Sequence, residues 1–194
     1  AIRASSGFGE TEMAGAFNRR PEIGWMMDHL TVDDLHARMG GPSFLDLEDL
    51  ISREDDPESQ IRLIKLIPKF GGSTDFLIEK ARDANLEIRL AAIEVMGGVR
   101  SDEVRRELMV CLEGKEWQVR ARAALSLSGH GKAESVRDIA PLLLDKDWRV
   151  QLNAAVALKR LGPAGHSILR FMSRKSGSPQ ARRMFAQALG LPER

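Results

Sequence analysis

Between residues 83 and 190 one pattern of apolar, basic and small residues returns along the chain: Ile88-Arg89, Val119-Arg120, Val150-Gln151 and Ala181-Arg182, each 31 residues after the last. Small residues follow each time, as Ala91-Ala92, Ala123-Ala124, Ala154-Ala155 and then Ala186 with Ala188, and a glycine closes the block at Gly98, Gly129, Gly162 or Gly190. Apolar positions at helical spacing predict helices, and the glycines predict their ends. The first helices of the three central units are expected near 85–97, 116–128 and 147–161, and the second helices near 102–113, 133–144 and 164–174. Alanine at 92, 123 and 154 leaves one face of each first helix thin enough for a neighbour to approach closely, while Met96, Leu127 and Leu158 fill the space between layers. The second helices carry bulkier sets, for instance Val104, Leu108 and Leu112, or Val136, Ile139 and Leu143. Self-similarity at this period predicts an all-α stack in which each unit buries its apolar face only against its neighbours.

The flanks are less regular. Residues 1–20 are rich in Gly, Ala and Ser without sustained periodicity and read as a flexible N-terminal tail. Residues 21–54 predict a short helical cap: Thr31-Val32-Asp33-Asp34 resembles a capping box, Gly40-Gly41 a stop, and Ser43 a cap for an amphipathic helix carrying Phe44, Leu45, Leu47, Leu50 and Ile51. Residues 55–194 then hold about four and a half repeats. In the first and most degenerate of them Pro68 is expected to kink a helix near its end, Gly71-Gly72 to close it, and Ser73 to cap the partner helix. A last first helix, from Gln180 to Leu189, ends at Gly190-Leu191-Pro192 with no second helix after it.

Composition fits this picture. The chain is 43% hydrophobic and 29% charged, with 5% aromatic residues and no tyrosine, as expected for a helical core of Leu, Ile, Val and Ala. Cys111 is the only cysteine and sits in an apolar run, which excludes a disulfide framework and predicts a buried thiol. No apolar run is long enough for a membrane span. The expected location is cytoplasmic, or a soluble domain of a membrane-anchored protein, and a chain starting at Ala1 reads as an excised piece of a longer protein. The net charge of +1 conceals a polarity: residues 1–60 carry 5 basic and 13 acidic groups, net −8, and residues 146–194 carry 10 basic and 2 acidic groups, net +8. Such asymmetry bears on partners and on head-to-tail self-association.

The phrases from Trp117 to Ala124 and from Trp148 to Leu158 resemble HEAT repeats, of the short bacterial type also seen in phycobilin lyase subunits. The resemblance covers residues 55–190. It implies a right-handed superhelix of antiparallel helix pairs whose second helices line a concave surface, used mostly to bind other proteins. Gln151 departs from the pattern, where arginine is usual, and residues 1–54 lie outside it.

Candidate chemistry is sparse. Trp117 and Trp148 occupy matched places and read as packing at the turns between units, rather than as stacking platforms for a ligand. Arg89, Arg120 and Arg182 are expected to bond turn carbonyls or acids such as Asp83 and Glu116. His29, Asp33 and His36 share one helical face, yet Thr31 looks like a cap that breaks the helix between them, and no fourth ligand is evident, so they read as a surface cluster rather than a metal site. Deoxyhypusine hydroxylases, enzymes built on HEAT repeats, hold iron with paired His-Glu steps, whereas no histidine here precedes a glutamate. HEAT-like alkylpurine DNA glycosylases present aromatic and acidic residues from a concave basic surface, which the turn tryptophans do not match. Phosphate loops, nucleophile motifs and paired-cysteine metal sites are absent from the sequence.

The reading that follows is a non-catalytic protein-interaction or scaffold module without cofactors. Its expected contacts are Arg105, Arg106, Glu107, Arg137, Asp138, Arg170 and Arg174 on the second-helix surface. Binding of anions or nucleic acid by the basic carboxy-terminal repeats ranks second, on Lys159, Arg160, Arg170, Arg174, Lys175, Arg182 and Arg183. A phycobilin-lyase-like helper role is third.

Overall fold

The computed structural model describes residues 44–70, 73–131 and 134–190. The tail, the cap as far as Ser43, the His29, Asp33 and His36 cluster, and the Gly71-Gly72 stop lie outside the described residues.

The described chain is helical throughout. Helix α1 (Phe44–Arg53) precedes α2 (Pro57–Ile64), which starts where the Asp56 carboxylate accepts the Ser59 amide at 2.9 Å. The hydroxyl of Ser59, with that amide bond, holds the Asp56 carboxyl below its ordinary range. Helix α2 stops at Ile64, and a short turn, α3 (Ile67–Phe70), follows with Pro68 in its first turn. Proline carries no N–H to donate back to Ile64, so the expected kink is a full break. Helix α4 (Thr74–Lys80) begins under the predicted cap, the Ser73 hydroxyl accepting the Phe76 amide at 3.2 Å.

The regular units follow. First helices are α5 (Leu86–Met96), α7 (Trp117–Gly129), α9 (Trp148–Arg160) and α11 (Pro179–Ala188); second helices are α6 (Asp102–Leu112), α8 (Ser135–Ile139) and α10 (Pro163–Lys175). The spans agree with the spacing argument except at α8. There Pro141 cannot donate to the Arg137 carbonyl, and the helix tightens into a 3-10 turn over Ala140–Leu144.

Consecutive first helices pack against each other directly, α5 on α7, α7 on α9 and α9 on α11. The seam is built from Ala92, Ala123, Ala124, Ala154 and Ala155, all without exposed surface. Met96, Leu127 and Leu158 are fully buried between the two layers, as their spacing requires. Second helices add Val104, Leu108, Ile139, Leu143 and Leu169 to the same continuous core. Fully burying each such side chain contributes about 1.5–3 kcal/mol, so the stack is held together along its length rather than at one centre.

Two glycines permit backbone contact that alanine would prevent. A Cβ at Gly129 would lie 2.6 Å from the Gly97 carbonyl oxygen, where α5 and α7 converge, and one at Gly165 would lie 1.9 Å from that of Leu158, where α10 turns back onto α9. Buried histidine closes the first of these crossings: the His130 ring bonds the Met96 carbonyl at 3.1 Å, and Arg100 donates to the His130 carbonyl.

Candidate binding surface

The recurring polar residue at the fourth position of each first helix, arginine in three and Gln151 in α9, binds the turn it follows. Arg89 donates to the carbonyls of Asp83 and Ala84 at 2.8 and 3.0 Å, and Arg120 to those of Gly114 and Lys115 at 2.8 and 2.9 Å. Arg182 reaches the Ser176 carbonyl at 2.6 Å, and Gln151 the Asp145 carbonyl at 2.6 Å. Two of the four also cross to the next unit. Arg89 pairs with Glu116 at 3.0 Å, and Arg120 forms a two-pronged bond to Asp145 at 2.7 and 2.9 Å with both side chains buried. Hydrogen bonding to Arg120 pulls the Asp145 carboxyl below its usual range and holds the guanidinium protonated. Gln151 has the wrong shape and no charge for such a bond, and the position matched to Asp145 in the next unit is Ser176.

The tryptophans diverge in the same place. Trp117 opens α7 and lies beneath the Arg149 guanidinium, 3.7 Å from its ring centre. Arg149 is held there by Asp147 through bonds of 3.0 and 2.7 Å, and these draw the Asp147 carboxyl down from 3.8 to about 2. Trp148 opens α9 with the same register, but the positions matched to Asp147 and Arg149 are Ser178 and Gln180. Among the described residues no arginine covers it, and Trp148 is 59% exposed. Packing at the turn therefore describes Trp117 and not Trp148.

Trp148 lines an open groove of about 700 Å³ between α9 and α11. Leu152 and Met184 continue its apolar side, Gln151, Gln180 and Gln187 offer amides, and Lys146 and Arg183 supply positive charge. A smaller recess between α5 and α7, with Gly97, Leu125 and Gly129 at its base, lies beside the Arg122–Glu94 pair of 3.0 Å. Both depressions belong to the first-helix layer.

The charges expected on the second-helix surface divide into two groups. Glu107 is buried and accepts two bonds from Arg82, Arg105 pairs with Asp138 at 2.5 Å, and these three are committed to joining the turn after α4, α6 and α8. Arg106, Arg137, Arg170 and Arg174 are exposed, Arg106 with an additional bond to Glu103 at 3.1 Å. Phe171, 61% exposed, stands between Arg170 and Arg174 on α10.

Cys111 is buried, and desolvation pushes its thiol up to about 11, so it is protonated and unreactive at neutral pH. Among the described residues no group of histidine, cysteine and acidic side chains converges to hold a metal ion, and no helix is long and apolar enough to cross a membrane.

Residues 106–190 match the family model for HEAT repeats. No curated protein matches the chain.

Proposed function

From a chain whose residues 106–190 are HEAT repeats, we propose a protein-interaction module that captures its partner on the first-helix layer, through the groove between α9 and α11. The observation that carries this reading is Trp148. A large aromatic side chain left more than half exposed beside Leu152 and Met184 is the arrangement that interface anchors have before their partner arrives. The buried first-helix arginine supports it, because Arg120 is consumed in joining units while Arg183 remains exposed beside the groove. Affinity capture with the intact chain tests the reading. Trp148→Ala combined with Leu152→Glu is expected to lower partner retention by about 30-fold or more, as for loss of an anchor contributing 2 kcal/mol. Charge reversal of Arg137, Arg170 and Arg174 is expected to leave retention unchanged; the opposite pattern would place recognition on the second helices.

A second reading rests on α10, where Arg170, Phe171, Arg174 and Lys175 are all exposed. Cations around an aromatic ring suit an anion or a single nucleic-acid strand. Titration with short single and double strands at two salt concentrations tests it: phosphate binding weakens steeply with salt, and a flat response would exclude it.

A further inference from the structure

Resting on the reading that the groove between α9 and α11 is the docking surface, we infer that its occupant is an acidic segment of a partner protein. One apolar side chain of that segment seats on Trp148, and a flanking carboxylate is drawn to Lys146 and Arg183.

The charge of the groove decides the sign. Lys146 and Arg183 line it, and no carboxylate does so among the described residues. The two acids that flank Lys146 in the chain are already engaged: Asp145 accepts both prongs of Arg120, and Asp147 both of Arg149. Among the described residues an incoming anion therefore meets two lining cations and no lining carboxylate, within a carboxy-terminal region of net +8.

The repeat itself supplies the comparison that excludes a basic partner. Trp117 takes a guanidinium on its face, but only because Asp147 holds Arg149 in place. At Trp148 the holding position is Ser178, and Lys146 and Arg183 repel a second cation. What Trp148 retains is its apolar face, continued by Leu152 and Met184, which seats an aliphatic or aromatic side chain. Gln180 and Gln187 around it offer both donors and acceptors, which suits the amides of an extended backbone. A nucleic-acid strand fits less well, since it asks for a longer track of cations than these two.

The test is display selection of random dodecapeptides on the immobilised full chain, followed by calorimetric titration of the enriched sequences. Enriched peptides are expected to carry Asp or Glu within three positions of an aromatic or aliphatic residue. Their affinity is expected to fall by about tenfold or more in Trp148→Ala and in the Lys146→Glu/Arg183→Glu double variant, and to hold in Arg137→Glu/Arg170→Glu. Replacing the peptide's acids by lysine is expected to restore binding to the Lys146→Glu/Arg183→Glu variant. Thermal melts of the variants, all altered at exposed positions, confirm the fold. Basic or uncharged peptides that are lost on Trp148→Ala would overturn the acidic occupant and leave the groove as the docking surface. Peptides indifferent to Trp148→Ala and Leu152→Glu, or a library that enriches nothing, would overturn both. Displacement of the peptide by oligothymidylate at low salt would assign the cations to nucleic acid and overturn the proposal.

Discussion

The joint between α7 and α9 and the joint between α9 and α11 share one register and differ in a few side chains. In the first, Arg120 crosses to Asp145 and Arg149 covers Trp117. In the second, Gln151 and Ser176 hold the positions matched to Arg120 and Asp145, and Gln180 holds the one matched to Arg149. The apolar seam persists through both, since Ala154, Ala155, Ala181 and Phe185 are buried. Burial of small residues therefore sets the stacking, and the polar side chains decide whether a joint is sealed or left open.

The comparison breaks hardest at Arg120. Arg120→Gln makes the sealed joint resemble the open one but strands the buried Asp145 carboxylate, and a loss of about 3 kcal/mol is expected in urea unfolding. A loss near zero would show that the pair does not hold the joint. Close approach of backbones is next: Gly129→Ala is expected to cost about 1–3 kcal/mol, because its methyl meets the Gly97 carbonyl, whereas Gly98→Ala, with its nearest neighbour at 3.6 Å, is expected to be close to neutral in the same assay. Running the comparison in reverse, Gln151→Arg with Ser176→Asp installs the missing crossing and is expected to add ~1 kcal/mol or less.

The smallest effect concerns the cover of Trp117. Asp147 gains its partner on folding and its carboxyl falls from 3.8 to about 2, so its contribution is present above pH 4 and is lost as pH drops toward 2. Arg149→Gln is expected to flatten that acid limb of the melting temperature and to increase acrylamide quenching of Trp117, leaving the neutral-pH fold intact. An unchanged acid limb would mean that the Asp147–Arg149 pair is not maintained in solution.

Much of this arrangement is legible in the sequence, and the reason is local. The 31-residue spacing, Ala123 and Ala154, and the Ser73 cap depend on neighbours in the chain or on a strict repeat, so helix spans and the seam follow from them. The turn-binding role of Arg89, Arg120 and Arg182 is legible for the same reason. The break at Pro141 is a local signal that the spacing argument overran, because the apolar residues on either side keep a helical period. The fate of the second-helix charges was not readable: whether Arg105 meets Asp138, or Glu107 meets Arg82, depends on the lateral distance between stacked units, which periodicity leaves open. The groove could have been found. Laying each unit over the next at the repeat spacing puts Ser178 on Asp147 and Gln180 on Arg149, and that mismatch marks the uncovered tryptophan.

The central claim is that Trp148 is left bare for a partner, and its most direct test is to cover it. The Ser178→Asp/Gln180→Arg variant rebuilds at Trp148 the clamp seen over Trp117. Calorimetric titration of this variant with a peptide that binds the wild-type chain in a Trp148-dependent manner is expected to show affinity reduced by about tenfold or more. Undiminished binding to a variant whose Trp148 fluorescence is shielded from acrylamide would contradict the account.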